Sequence, residues 1–201
     1  MTTKKMDTRL RGYDIRFETE FILIAEKYAK EIEGIIARYP SKKSAVLPLM
    51  HLAQREYGYT SESAMKEVAS ILDLDPTQVL SLAGFYTMFY EEPTGEYVLE
   101  ICNDLACALR GADEFVDMAC KKLDIAPEET TEDGLFTIKT VMCLGACDRA
   151  PMLQCNMSFE ENLNEEKFDA LLGRLRDEAA AGKPSFSVAE KMASYAVKDG
   201  A

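Results

Sequence analysis

Tyr97-Val98-Leu99-Glu100-Ile101-Cys102-Asn103-Asp104-Leu105-Ala106-Cys107 is the stretch on which the reading of this chain turns. Its first five residues are aromatic, β-branched and aliphatic around one Glu, which reads as a strand. That strand runs directly into a cysteine pair. The arrangement returns at Leu135 to Met142, a second strand pattern, which runs into Cys143-Leu144-Gly145-Ala146-Cys147. Adjacent strand ends in one sheet would bring the two loops together, although residues 108–142 separate the pairs along the chain. Four thiolates can complete one soft metal centre, so the spacing leaves zinc, a [2Fe–2S] cluster or two disulfides open. Structural zinc favours short CxxC-like knuckles, which C-x3-C meets only in part. A two-iron cluster gives two thiolates to each iron, so longer and unequal spacings are natural to it.

Working outward, a helix is predicted after Cys107 with Leu109, Phe115, Val116, Ala119 and Leu123 on one side. Pro151 to Asn156 reads as another short strand. Asn164 is placed to cap a last helix that turns Phe168, Leu171, Leu172 and Leu175 inward. Strand, helix, strands, helix is the order of a thioredoxin-like α/β sandwich. Before Glu91-Glu92-Pro93-Thr94-Gly95 the pattern is helical throughout. Phe21, Ala25, Tyr28, Ile32, Ile35 and Tyr39 form the stripe of one long helix, which Pro40 ends. Ser44 is placed to cap a second helix carrying Leu49, Leu52 and Ala53, with Gly58 past its end. Thr60 or Ser61 opens a third, with Met65, Val68, Ala69 and Leu72 inward. Asp75-Pro76-Thr77-Gln78 is a strong helix start, and the fourth helix is expected to bury Val79, Leu82, Ala83, Tyr86 and Phe89. His51, the one histidine, reads as structural because no second His exists to pair with it.

The fold class expected is therefore α+β: an N-terminal helical bundle followed by a thioredoxin-like α/β domain. The expected division is an N-terminal extension at 1–17, the bundle at 18–92, the α/β domain at 96–180 and a tail at 181–201.

A net charge of −12 leaves no basic surplus to neutralise phosphates, which argues against nucleic acid as a partner. No apolar run approaches the length of a membrane span, so no direct membrane insertion is expected. Met1 to Arg16 lacks an apolar core and does not read as a secretory signal, which favours reduced thiols and a cytoplasmic setting. There is no CxxC for thiol–disulfide catalysis, and no G-x-G-x-x-G or phosphate loop for a nucleotide.

Asp133-Gly134-Leu135-Phe136-Thr137, five residues, then Cys143-Leu-Gly-Ala-Cys147-Asp-Arg-Ala150-Pro151 resembles the signature of the thioredoxin-like [2Fe–2S] ferredoxin family found in NADH–quinone oxidoreductase, respiratory complex I. Cys102 to Cys107 followed by Leu109-Arg110-Gly111-Ala112, and Phe85-Tyr86-Thr87-Met88-Phe89, look like the same family. The resemblance covers roughly residues 18 to 175. It implies one [2Fe–2S] cluster on Cys102, Cys107, Cys143 and Cys147. It also implies a neighbouring flavoprotein subunit that holds NADH and FMN, and a place in the peripheral arm of a membrane-associated complex. The chain would then carry single electrons to or from that flavin, as a subunit of an NADH dehydrogenase (quinone) that is not catalytic alone. Two other readings stand beside it: the equivalent diaphorase ferredoxin of an NAD-linked hydrogenase or formate dehydrogenase, and a zinc-stabilised scaffold without redox chemistry.

Within the two loops, Gly145 would let the second turn tightly, with backbone N–H groups near sulfur. Asp104 and Asp148 would oppose reduction of a nearby centre, and Arg110 and Arg149 would favour it. Cys120 and Cys155 lack a partner at ligand spacing and read as small buried hydrophobes.

Overall fold

The stripe of apolar residues before Pro40 cannot bury itself alone, and it packs into a bundle. The computed structural model describes residues 24–182, so Phe21, residues 1–17 and the tail from Lys183 lie outside the described residues. Helices α1 (Ile24–Lys27) and α2 (Ala29–Ile36) replace the single long helix expected. The break is Tyr28, at φ −117° and ψ 24°. Its hydroxyl donates to Glu56 at 2.7 Å and the Arg55 guanidinium lies over its ring at 5.0 Å, so contacts with the next helix override local periodicity. That next helix is α3 (Val46–Tyr57), entered through a 3-10 turn at Lys42–Ala45. Ser44 lies inside that turn and does not cap α3, which starts on Ala45 without a side-chain cap. Gly58 closes α3 in the left-handed region.

Ser61 caps α4 (Glu62–Leu72), accepting from the Ala64 N–H, and Asp75 caps α5 (Pro76–Ala83), accepting from the Thr77 N–H. α5 stops before Tyr86 and Phe89, which lie in the following turns. Phe89 nevertheless reaches the bundle core with Leu49, Met50, Val68, Leu72 and Val79. Gln54 of α3 holds this segment, donating to the Met88 carbonyl at 2.9 Å and accepting from the Tyr90 N–H at 2.9 Å.

His51 is buried in this core, its ring 4.7 Å from that of Phe89 and its Nδ1 without a partner. Burial holds its pKa below the ordinary 6.5. The unfolded chain therefore binds a proton that the folded chain refuses, so stability is lost as pH falls below about 6.5. Urea midpoints measured from pH 8 to pH 5 should fall more for the wild type than for His51→Leu. Parallel curves would show that His51 does not carry this slope.

The second core begins at β1 (Tyr97–Cys102), buried along its whole length. β2 (Phe136–Val141) pairs with it in parallel, Tyr97 opposite Phe136 and Cys102 opposite Val141. β3 (Leu153–Cys155) lies antiparallel on the other side of β1, and β4 (Ser158–Glu160), which has no counterpart among the expected strands, completes the order β2-β1-β3-β4. The one-turn helix α6 (Leu105–Ala108) follows β1. α7 (Ala112–Leu123) and α8 (Glu165–Ala180) cover the sheet, with Phe115 and Phe168 edge to face at 5.4 Å. Asn164 caps α8 by accepting from the Lys167 N–H at 2.9 Å. Leu109 precedes α7 and is exposed rather than inward-facing. Gly95 passes against β2 so closely that a Cβ there would meet the Phe136 backbone at 2.9 Å. At that same end of the sheet, residues 131–134 form a turn closed by the Gly134 N–H on the Thr131 carbonyl at 2.8 Å.

Candidate functional site

Because β1 and β2 are parallel, both cysteine loops leave the sheet at the same end, the C-terminal end of these strands. Cys102 is the last residue of β1. The Asn103 N–H then reaches the Val141 carbonyl at 3.3 Å, tying the first loop to the end of β2. Asp104 starts α6, its carboxylate accepting from the Leu105 N–H at 2.9 Å. Cys107 lies within that one-turn helix, and the helix expected after Cys107 is α7, which starts at Ala112 and buries Phe115, Val116, Ala119 and Leu123. Cys102 and Cys107 are each only 1% exposed.

The second pair is built differently. Gly145, at φ +77°, folds the loop back, a conformation that a side chain would strain. Its N–H then points to Cys143 Sγ at 3.4 Å. Cys147 opens a 3-10 turn, Cys147–Arg149. Cys143 is exposed and Cys147 half-buried, and their sulfurs are 3.8 Å apart. Two tetrahedral sulfurs on one metal, each bonded at about 2.3 Å, sit about that far apart.

The four thiols act on one another. Burial pushes the Cys107 thiol up to about 12, with further contributions from Cys102, Cys147 and Cys143. The Cys143 sulfur raises Cys147, and Cys107 is within hydrogen-bonding reach of it. Among the described residues, no three His, Cys, Asp or Glu side chains converge on a single ion.

A small apolar core of Cys102, Cys107, Ala112, Ala150 and Met152 underlies the site, with Leu144 and Ala146 packed against it. Arg110 crosses from the first loop to the second, its Nε donating to the Ala150 carbonyl at 3.3 Å. Arg149 anchors the second loop outward on the Glu161 carboxylate at 2.7 and 2.8 Å. This core and these two anchors have no signal in the sequence beyond the proximity of basic residues to cysteines. Cys120 and Cys155 pack instead with the main core of the sheet. Burial raises both thiols, Cys155 to about 12. Leu105, Leu109 and Met142, all at least 73% exposed, stand in or beside the two loops. No helix of the described residues is long and apolar enough to cross a membrane.

Comparison with known proteins places the chain in a family. Residues 32–176 match the family model of the thioredoxin-like [2Fe-2S] ferredoxins. A subunit of the NADH-quinone oxidoreductase of Rhizobium meliloti (strain 1021) is 41% identical over 147 residues, covering 73% of this chain and 88% of that one. The corresponding NADH-quinone oxidoreductase subunit of Rickettsia prowazekii (strain Madrid E) is 38% identical over 176 residues, covering 86% of this chain and 96% of that one. Among solved structures, a chain of an NAD+-reducing [NiFe]-hydrogenase in the air-oxidized state superimposes with a TM-score of 0.56. At 21% identity, over 65% of this chain and 23% of that one, it shares the fold.

Proposed function

This chain belongs to the thioredoxin-like [2Fe-2S] ferredoxin family, together with these NADH-quinone oxidoreductase subunits, and from that premise we propose that it is the electron-transfer subunit of an NADH:quinone oxidoreductase. The observation that carries the proposal is the meeting of two cysteine pairs at one end of the parallel strands β1 and β2.

Cys102 and Cys107 would hold one iron from inside the protein, and Cys143 and Cys147 the other from the loop that faces solvent. The bound cluster supplies a single-electron store, with a formal charge of about −2 when oxidised and about −3 when reduced. The chain's residues decide how well that added charge is tolerated. The Gly145 N–H aimed at Cys143 Sγ and the guanidinium of Arg110 favour it. Asp104 and Asp148 oppose it, but the first is spent on the Leu105 N–H and the second lies 3.5 Å from Arg149. Burial of Cys102 and Cys107 keeps water from half of the site. The exposed Leu105, Leu109 and Met142 supply apolar surface next to the solvent-facing pair, where a partner bearing FMN and NADH would approach.

Anaerobic purification tests the proposal. Iron and acid-labile sulfide should each appear at about two per chain, with a paramagnetic signal after one-electron reduction. A colourless protein with one tightly held zinc would overturn it. Stable co-purification with hydrogenase or formate dehydrogenase subunits would move the same ferredoxin to a different complex.

A further inference from the structure

We propose that the cluster-free chain carries an oxidative modification site, a Cys143–Cys147 disulfide that closes the cysteine end to iron until it is reduced. The consequence for iron rests on the ligand assignment above; the modification site itself does not.

The two sulfurs are already 3.8 Å apart, and a disulfide needs them at about 2.05 Å, a gap that side-chain rotation in a short loop can close. The loop is folded for this by Gly145 at φ +77°, so its two ends face each other before any bond forms. Reagent access separates this pair from the other. Cys143 is exposed and Cys147 half-buried, whereas Cys102 and Cys107 lie at 1% exposure in the apolar core beneath. Cys120 is partly buried on α7 and Cys155 is buried in β3, both packed with the main core of the sheet. Cys143 is therefore the thiol that a dissolved oxidant meets first, and Cys147 is the thiol nearest to resolve it.

The oxidant is a small-molecule disulfide such as oxidised glutathione. Cys143 thiolate attacks one of its sulfurs, forming a mixed disulfide and releasing one small thiolate. Cys147 then attacks the Cys143 sulfur, forming the intramolecular bond and releasing the second. Two protons leave the protein, and its two electrons end in the two small thiols. The product consumes both ligands of the solvent-facing iron position while leaving the buried pair reduced. A bound cluster would protect the same two sulfurs, so the modification belongs to the chain before loading or after loss of iron.

The test uses the full chain, freed of iron anaerobically and incubated with oxidised glutathione. Alkylation and peptide mapping should find Cys143 linked to Cys147, with Cys102, Cys107, Cys120 and Cys155 still free thiols. Cys143→Ser should give no internal link. The linked chain should take up iron and sulfide more than about tenfold more slowly than the reduced chain, and a dithiol should restore the rate. A link through Cys102 or Cys107, a stable mixed disulfide without ring closure, or full-speed loading of the linked chain would overturn the proposal. Failure of the reduced chain to load at all would overturn the cluster assignment instead, and the linkage map would still decide the modification site.

Discussion

Cys143→Ala is expected to abolish the native [2Fe–2S] spectrum, while Cys120→Ala and Cys155→Ala leave it nearly unchanged. Removing Cys143 takes one of the two sulfurs that stand 3.8 Å apart and leaves Cys147 alone at the solvent-facing position. No other cysteine can step in, because Cys120 and Cys155 pack with the main core of the sheet. Losing either of those thiols costs packing, on the order of 1 kcal/mol, without touching the loops. Visible absorbance and iron content per chain, read beside a urea midpoint for each variant, separate the two effects. A Cys155→Ala protein that folds normally but holds no cluster would show that Cys155 is a ligand and that the set of four is different.

The second large effect concerns NADH. The isolated, cluster-loaded chain should be reduced by NADH negligibly, and addition of the FMN-bearing partner proposed for it should speed reduction by on the order of a hundredfold or more. NADH gives a hydride, which is two electrons at once, and a [2Fe–2S] centre takes one. Some group must divide the pair, and the chain has no glycine-rich phosphate loop with which to hold a nucleotide. Anaerobic mixing with NADH, followed by the bleaching of the cluster absorbance, measures this directly. Rapid bleaching by the pure chain without flavin would reveal a nucleotide site of its own.

What can be read from the sequence is whatever depends on short range. Ser61, Asp75 and Asn164 stand where the chain leaves extended conformation, and each accepts a hydrogen bond from the first turn that follows. The strand that ends in Cys102 and the strand that ends at Val141, just before Cys143, are legible because β-forming residues and length coincide. The break at Tyr28 is not, because it answers to Glu56 and Arg55 on another helix. β4 escapes notice because its three residues are not buried and owe their strand form to pairing with β3. The turn that carries Cys107 is hidden by the run of helix formers around it, which gives no hint that Gly111 interrupts them in the left-handed region. In the site itself, the pairing of cysteines is visible, but the unequal burial of the two pairs is not. The first pair is buried in one cluster with Ala112, Ala150 and Met152, the last two distant from it in sequence.

The parallel register of β1 and β2 also decides where the protein can be handled. Tyr97 faces Phe136 at one end and Cys102 faces Val141 at the other, five strand steps away, or about 16 Å. The turn at 131–134 sits at the end remote from the cysteines, closed by its own hydrogen bonds and owing nothing to the loops that carry sulfur. A fluorophore, a spin label or an affinity tag grafted there would report on the molecule without crowding its electron-carrying end. It would also give a fixed anchor from which to immobilise the chain on an electrode with that end turned outward.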